Sequence, residues 1–293
     1  MTEQQKINWK RSGDIPVLQD VSKGAVHMLQ FPLLEQQSWI SHGFSTRMGG
    51  VSEGCYASMN LSFTKGDDPE KVRENYRRMA DMLGMDMERM TLSFQTHTTN
   101  VRLVTEEDAG KGIVKERDYT DVDGLITNIP GTTLVTFYAD CVPLYFVDPV
   151  HHAIGLSHSG WRGTVHRMGR VTLKTMKEAF GTKPEDVICA IGPIIFQSCF
   201  EVGGEVIEEF QKEFDPSYWK ELFYVKENGK YQLDLWRANE INLLDAGVKA
   251  AHMAVTNVCT CCNHELLFSH RYTRGKRGNL SAFLALKEET KVE

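Results

Sequence analysis

Three residues that are able to bind a metal ion lie at the ends of predicted strands, far apart in the sequence. His97 stands in FQTHTTNV, Cys141 in YADCVPL and His158 in LSHSGWRG. Strand ends and the loops that follow them are where a rigid fold presents functional side chains. Two imidazoles and one thiolate, with a fourth position left open, match a three-ligand catalytic zinc site. The alternative is that each is a buried structural residue, because such wide spacing does not require that they meet.

Asp140 precedes Cys141 inside an apolar run, TLVTFYADCVPLYFVDP. This run predicts two buried strands separated by a turn at Pro143. Burying an unpaired carboxylate costs several kcal/mol, so Asp140 needs either a nearby cation or a catalytic role. We therefore predict that Asp140 acts as an acid/base group or supports the metal ligands. In a metal-free site, Cys141 is instead a candidate nucleophile with His158 as its base.

Two arginines lie in glycine-rich segments that are candidates for anion binding. In SHSGWRGTVHR a strand leads into a predicted helix, and the backbone N–H groups at that helix start would bind an anion beside Arg162. In GFSTRMGGVSEG the glycines allow a sharp bend, and Arg47 is able to bind phosphate or carboxylate in a bidentate manner. The structural alternatives are a glycine-rich turn with Trp161 in the core and a solvent-exposed Arg47.

The segment CTCCNH is the densest group of metal-capable residues. Cys259, Cys261, Cys262 and His264 lie too close together to complete a tetrahedral site by themselves, and the sequence has no second C-x-x-C motif. We interpret the three cysteines as buried thiols that are open to oxidation. The total of seven cysteines is odd, and a chain of this length needs no disulfides. These features predict reduced thiols and a cytoplasmic location.

Composition and charge limit the classes of function. The chain has 293 residues, 41% of them hydrophobic, and a formal net charge of -6. The charge argues against a nucleic-acid partner. No apolar stretch approaches the length of about 20 residues that spans a membrane, and the first residues lack a secretory signal. We predict a single domain over 1–293, with 1–22 as a loose N-terminal segment, and no particular oligomeric state.

The apolar spacing predicts four helices and a set of buried strands. Helices are expected over 67–84, with Asp67 or Asp68 as the cap and Gly84 at the end, and around 163–180, 206–214 and 241–248. Strands are expected over 101–105, 124–127, 133–139, 144–148, 152–158 and 187–193. FYVKENGKYQLDL predicts a hairpin with a type I′ turn at Asn228–Gly229. Because some strands are joined by turns and others by helices, we predict an α+β fold of mixed β-sheets with outer helices.

Seven motifs occur in the order expected for one known family. They run from about residue 43 to residue 284 and are F-S-T-R-x-G-G, M-N-L-S, Q-x-H-x-x-N-V, A-D-C-V-P, H-S-G-W-R-G, G-P-I-I-x-x-x-x-F-E-V-G and the late C-T…F-S-H-R. On these motifs the chain resembles the bacterial YlmD/YfiH family. Members of that family are named multicopper polyphenol oxidase, laccase-domain protein or purine nucleoside phosphorylase.

The resemblance implies a site, a fold and an activity. It implies zinc ligands His97, Cys141 and His158, with copper as the alternative metal, and a cleft lined by Arg47, Asn60 and Gln95. It implies a layered α+β fold similar to the catalytic domain of cytotoxic necrotizing factor. The implied reactions are phosphorolysis of adenosine, inosine and methylthioadenosine, and deamination of adenosine. The family's later T-G-R segment reads R-G-K-R-G here, so Arg274 and Arg277, in the basic stretch RYTRGKRG, either contact an anionic substrate or face water.

Three activities remain in competition on the residues alone. Phosphorolysis needs a bound phosphate, which Arg47 and the helix start at Gly160–Gly163 are candidates to hold. A copper oxidase needs many histidines, whereas this chain has ten and no H-x-H pair. A cysteine amidohydrolase would use Cys141 and His158, but a thiolate bound to zinc is a poor nucleophile. Together with the family resemblance, these points favour a zinc-dependent purine nucleoside phosphorylase with adenosine deaminase activity, with purine nucleosides and phosphate as its partners.

Overall fold

The computed structural model describes residues 7–288. Its strands are β1 (Gln19–Lys23), β2 (Val26–Gln30), β3 (Ile40–Ser45), β4 (Met90–Leu92), β5 (Val101–Leu103), β6 (Gly124–Thr127), β7 (Thr133–Tyr138), β8 (Val142–Asp148), β9 (Ala153–Ser159), β10 (Ile188–Ile191), β11 (Glu201–Val202), β12 (Phe223–Val225), β13 (Tyr231–Leu233), β14 (Met253–Val255) and β15 (Leu280–Leu286). Its helices are α1 (Pro32–Glu35), α2 (Pro69–Leu83), α3 (Trp161–Val165), α4 (Met168–Phe180), α5 (Gly204–Glu213), α6 (Trp219–Leu222), α7 (Leu235–Asp245) and α8 (His270–Thr273).

Two six-stranded sheets form the centre of the molecule. The first has the order β1-β2-β3-β15-β7-β4 and the second the order β14-β10-β8-β9-β6-β5, while β11-β13-β12 form a small third sheet. Both large sheets are mixed, because β4–β7, β5–β6 and β10–β14 pair in parallel and their other pairs are antiparallel. The prediction of an α+β fold with mixed sheets is confirmed.

Buried apolar side chains arrange these elements in four layers. One core lies between the two large sheets and joins Leu134 and Leu284 of the first to Leu125 and Leu156 of the second. A second core packs the outer face of the second sheet against α4, α5 and α7. A third packs the outer face of the first sheet against α2. The order is therefore helix, sheet, sheet, helices, and the inner strands of both sheets are buried on both faces.

Helix α2 shows how local sequence signals set an element. The Asp68 carboxylate accepts a hydrogen bond from the N–H of Glu70, Pro69 occupies the first turn, and Gly84 ends the helix in a left-handed conformation with φ 67°. The apolar stripe of the helix is buried and comprises Val72, Tyr76, Met79 and Leu83. The predicted bounds of this helix are confirmed.

The predicted turn at Pro143 is wrong. The chain turns at 139–141, and Pro143 lies inside β8, where it pairs with His158. Proline is tolerated near a strand end, where no ladder hydrogen bond is lost. The two strands also separate, because β7 belongs to the first sheet and β8 to the second. Residues 139–141 therefore carry the chain from one sheet to the other.

Three further predictions need correction. The helix predicted over 163–180 is two helices, α3 and α4, because Arg167 adopts a left-handed conformation with φ 60° between them. The hairpin of β12 and β13 is present, but only Gly229 of its turn has a positive φ, so the turn is not of type I′. Part of the segment expected to be loose is packed: Trp9 and Leu18 are buried, while residues 1–6 lie outside the described part.

Candidate metal centre and adjoining cavity

The structure brings the three predicted metal ligands together. His97 lies in the loop between β4 and β5, Cys141 in the turn between β7 and β8, and His158 in β9. Their ligand atoms all lie within 4.8 Å of one another, and His97 Nε2 is 4.0 Å from Cys141 Sγ. His158 is buried, Cys141 is half-buried and His97 is exposed. The group therefore opens to solvent on the His97 side.

Left-handed backbone conformations place two residues of this region. His97 has φ 68° and Asp140, directly before Cys141, has φ 87°. A non-glycine residue held in this conformation costs on the order of 1–3 kcal/mol and persists only where surrounding contacts enforce it. Such residues cluster at functional sites. The backbone thus gives up stability to hold His97 and the turn of Cys141 in place.

Asp123 is the supporting residue that sequence reasoning missed. Its carboxylate accepts a hydrogen bond from His158 Nδ1 at 2.7 Å and from the backbone N–H groups of Thr96, His97 and Thr98. One fully buried carboxylate thereby fixes the ring of one ligand and the loop of another. Because Nδ1 donates to Asp123, Nε2 of His158 is left free as a ligand atom. The only signal in the sequence is an acidic residue at the start of the strand GLIT.

Cys141 and His158 shift each other's protonation. Burial acts to raise the pKa of Cys141, but the charge of His158 and hydrogen bonds from His158 and His97 outweigh it and lower the pKa to about 6. Burial acts to lower the pKa of His158, but the Cys141 charge and the Asp123 hydrogen bond raise it to about 9. Without a metal the two residues thus form a thiolate–imidazolium pair near neutral pH. A thiolate is the form of cysteine that binds metals.

Gly160 keeps space open beside the ligands. A Cβ at this position would lie 2.9 Å from His97 Cδ2 and 3.4 Å from Cys141 Sγ. The donor set of two imidazoles and one thiolate, the tautomer set by Asp123 and this clearance all fit a metal ion.

We expect Gly160→Ala to weaken metal binding by about tenfold, within the range for loss of a supporting residue, because the methyl group displaces His97. Competition against a chelator measures the affinity. Gly163→Ala is the matched control, since its Cβ would be no closer than 3.4 Å to any neighbour. Equal metal affinity in the two variants would contradict this assignment.

A cavity of about 300 Å³ adjoins the three ligands. This volume is at the lower end of the range of about 300–1,000 Å³ that is usual for small-molecule sites. Its aromatic walls are Phe63, Phe94, Phe137 and Tyr138. Its cationic side chains are Lys65, Arg117 and Arg277, and no aspartate or glutamate of the described chain lines it. The cavity therefore favours an anion together with a flat apolar group.

Arg277 is half-buried, and part of its guanidinium group lacks a hydrogen-bond partner within the described residues. Its guanidinium donates to the carbonyl of Gly278 and to the side chain of Asn279, while Nε is buried and has no partner among residues 7–288. Burial lowers the pKa of Arg277 and also that of Arg117. Desolvation and the charge of Arg277 lower the pKa of Lys65. Lys65 and Arg277 thus repel each other, and an anion placed between them would relieve that repulsion.

The residues predicted to line the cleft lie in different places in the structure. Gln95 does line the cavity, although its amide also pairs with the backbone of Phe137. Arg47 donates to the carbonyls of Ala57 and His264 and stacks on a phenylalanine, so it supports the loops behind the site. Asn60 is buried and organises its own loop. Arg162 is exposed and stacks on its neighbour Trp161. Only Gln95 reaches the cavity.

Asp140 is held away from the ligands. Its two carboxylate oxygens accept hydrogen bonds from Thr260 Oγ1 at 2.6 Å and from the backbone N–H of Arg271 at 2.7 Å. It is buried, and it is not among the residues that line the cavity. The structure therefore explains the buried carboxylate by hydrogen bonds and does not bring it to the metal group.

Comparison with known proteins decides the family. Residues 41–287 match the family model described as multi-copper polyphenol oxidoreductase laccase. The chain belongs to this family. No helix in the described part of the chain has the length and apolar character needed to cross a membrane.

The relatives of this laccase-like chain are named as nucleoside enzymes. A purine nucleoside phosphorylase of Bacteroides thetaiotaomicron is 40% identical over 255 residues, which are 86% of this chain and 94% of the relative. A protein named adenosine deaminase RL5, from an unknown prokaryotic organism, is 35% identical over 78% of this chain and 87% of its own length. The crystal structure of YlmD from Geobacillus stearothermophilus has a TM-score of 0.85 and 34% identity, and the match covers 94% of this chain and all of that one.

Proposed function

We propose that the protein is a zinc-dependent purine nucleoside phosphorylase that acts on adenosine, inosine and methylthioadenosine. The observation that carries the proposal is a group of metal ligands opening into a cavity whose charged side chains, outside that group, are all cationic. The names of the relatives support the same activity. The His97–Cys141–His158 group would hold the ion. When bound, the ion supplies positive charge beside the reacting group.

The side chains of the cavity would bind both substrates, the phosphate and the nucleoside. Lys65, Arg117 and Arg277 hold phosphate by charge and by donated hydrogen bonds. The aromatic walls stack against the purine, which is a flat group with little charge. Holding the two reactants together removes most of the entropic cost of their encounter. The matching test is to incubate adenosine with the enzyme and phosphate, which should release adenine and ribose 1-phosphate, with no adenine when phosphate is omitted.

Arg277→Gln should raise the KM for phosphate by about tenfold or more, since a hydrogen bond to a charged group contributes about 1.5–3 kcal/mol. The KM for the nucleoside should change much less. Lys276→Gln, which removes an exposed cation at the neighbouring position, is the control. If both variants show the same phosphate dependence as the parent protein, Arg277 does not bind phosphate.

Adenosine deamination is the second candidate activity, because one relative carries that name. The observation favouring it is the His97–Cys141–His158 group beside the aromatic cavity, since an ion held there by three ligands would supply the positive charge that activates a water molecule. Release of ammonia and inosine from adenosine in phosphate-free buffer tests it. Phosphorolysis and deamination are then separated by their products.

A cysteine amidohydrolase and a copper oxidase are the remaining alternatives. The first needs a free Cys141 thiolate. We expect iodoacetamide to label Cys141 in the metal-depleted protein with a rate that rises with pH through about 6 and is constant above it, because the lowered pKa makes the thiolate the major form. Zinc should abolish the labelling. Rapid labelling of the zinc-loaded protein would instead favour the amidohydrolase.

A multicopper site would need several clusters of histidines. Within residues 7–288 the metal-capable groups are the His97–Cys141–His158 group and one group of cysteines. The arrangement does not fit a copper trio joined to an electron-transfer site, and we propose no oxidase step.

A further inference from the structure

Four cysteine thiols lie together outside the site described above. Cys199 ends a short 3-10 turn, and Cys259, Cys261 and Cys262 lie in the CTCCNH segment. The Sγ atoms of Cys199, Cys259 and Cys262 all lie within 4.8 Å of one another. Cys199 and Cys262 are 3.6 Å apart, although they are separated by 63 residues in sequence. The interpretation of CTCCNH as buried thiols alone overlooked this distant partner.

The spacing of the sulfurs fits a tetrahedral metal–thiolate centre. A Zn–S bond is about 2.3 Å long, so two thiolates on one tetrahedral zinc lie about 3.8 Å apart. The Cys199–Cys262 distance is close to this value. Cys259 and Cys262 also form a C-x-x-C pair, which is the usual ligand spacing in structural zinc sites.

Two backbone N–H groups point at the sulfur of Cys259, while burial raises the pKa of this thiol, so a thiolate here depends on a bound cation. Cys259 Sγ accepts hydrogen bonds from the backbone N–H groups of Phe196 at 3.2 Å and Cys262 at 3.3 Å. Such bonds stabilise negative charge on a metal ligand. Cys259 is fully buried, and a buried thiolate needs a cation close by. Three converging sulfurs are also one more than a disulfide requires.

We propose that Cys199, Cys259 and Cys262 form a second, structural metal site that takes a thiophilic divalent ion such as Zn²⁺. Thiolate ligands select such ions over Mg²⁺ or Ca²⁺. Cys261, whose thiol interacts with Cys199 and Ser269, is the nearest further thiol for the fourth position. On binding, the three thiols lose their protons to solvent.

This site would hold the loop that supports the catalytic turn. Thr260, between two of its ligands, donates to Asp140, which precedes Cys141. The carbonyl of His264 accepts from Arg47 at 2.8 Å. An ion bound to the cysteines therefore fixes the contacts behind the first metal group without touching substrate.

Metal analysis of purified variants tests the proposal. The parent protein should contain two equivalents of zinc per chain, Cys199→Ser one and His158→Ala one. Cys55→Ser, which removes an exposed thiol elsewhere, should keep two. Cys199→Ser with an unchanged metal content would overturn the site. So would an intact mass lower by the two hydrogens of a Cys199–Cys262 disulfide in protein purified without reductant.

Cobalt binding to the metal-depleted parent chain gives a readout that needs no cysteine variant. Co²⁺ should fill two sites, one of them with the intense near-ultraviolet absorption of several thiolates. His158→Ala should retain that absorption, whether or not the protein phosphorolyses nucleosides. Its absence from the parent chain would count against the proposal, while loss of activity with the absorption intact would count only against the proposed function.

Discussion

His158→Ala should lose one equivalent of metal per chain and nearly all phosphorolysis of adenosine. His158 is the buried ligand, and no other histidine or carboxylate of the described residues joins the group to replace it. The activity should fall by more than about 100-fold, which is the upper end for loss of a residue that only supports a ligand. Metal content by mass spectrometry and product release by chromatography are the two measurements.

His166→Ala is the control for this variant, because it removes an exposed histidine from the same part of the chain. It should keep both metal and activity. A His158→Ala protein that retains its metal would show that the ion binds elsewhere. Full activity after loss of the metal would show that the ion takes no part in phosphorolysis.

Asp123→Asn should have the next largest effect, and on two properties at once. An amide offers one accepting oxygen where the carboxylate offers two, and its NH₂ group would face N–H donors. Metal affinity should fall by about 10–100-fold, because the ring of His158 is no longer held. The free energy of unfolding should fall by about 1–3 kcal/mol, because buried N–H groups of the His97 loop lose their acceptor.

Chelator competition and urea unfolding of the metal-depleted protein separate these two effects. Asp121→Asn is the matched control: it makes the same chemical change two residues away, at a side chain that bonds only to exposed groups. Asp121 also has φ 63°, a conformation that asparagine tolerates well. An Asp123→Asn protein that binds metal as tightly as the Asp121→Asn control would remove Asp123 from the site.

The sequence predicts the candidate metal ligands of this protein better than it predicts the residues that support them. His97, Cys141 and His158 are recognisable because their types and their places at strand ends indicate a metal. Asp123 is not, because its role depends on the antiparallel pairing of β6 with β9, which places Asp123 beside His158. Capping and periodicity define α2, whereas the break at Arg167 depends on contacts with distant residues such as Asn242.

The cationic side chains of the cavity also show what local sequence patterns do not predict. Arg47 and Arg162 lie in glycine-rich segments that are typical of anion sites, yet their guanidinium groups bond or stack elsewhere. Lys65, Arg117 and Arg277 lie in three separate segments, and only the fold brings them to one cavity. Cys199 meets the CTCCNH segment for the same reason. Tertiary packing decides which long side chains point into the cavity, and a local sequence pattern does not encode that packing.

Two passages of the chain from the first sheet to the second each carry one of the proposed metal ligands. His97 lies between β4 and β5, and Cys141 lies between β7 and β8, while His158 belongs to the second sheet itself. An ion held by these residues would cross-link the two sheets. Its binding energy adds to the cohesion of the two sheets, since a ligand that binds only the folded state stabilises that state. Metal binding would thus complete the proposed site and stabilise the packing of the two sheets at the same time.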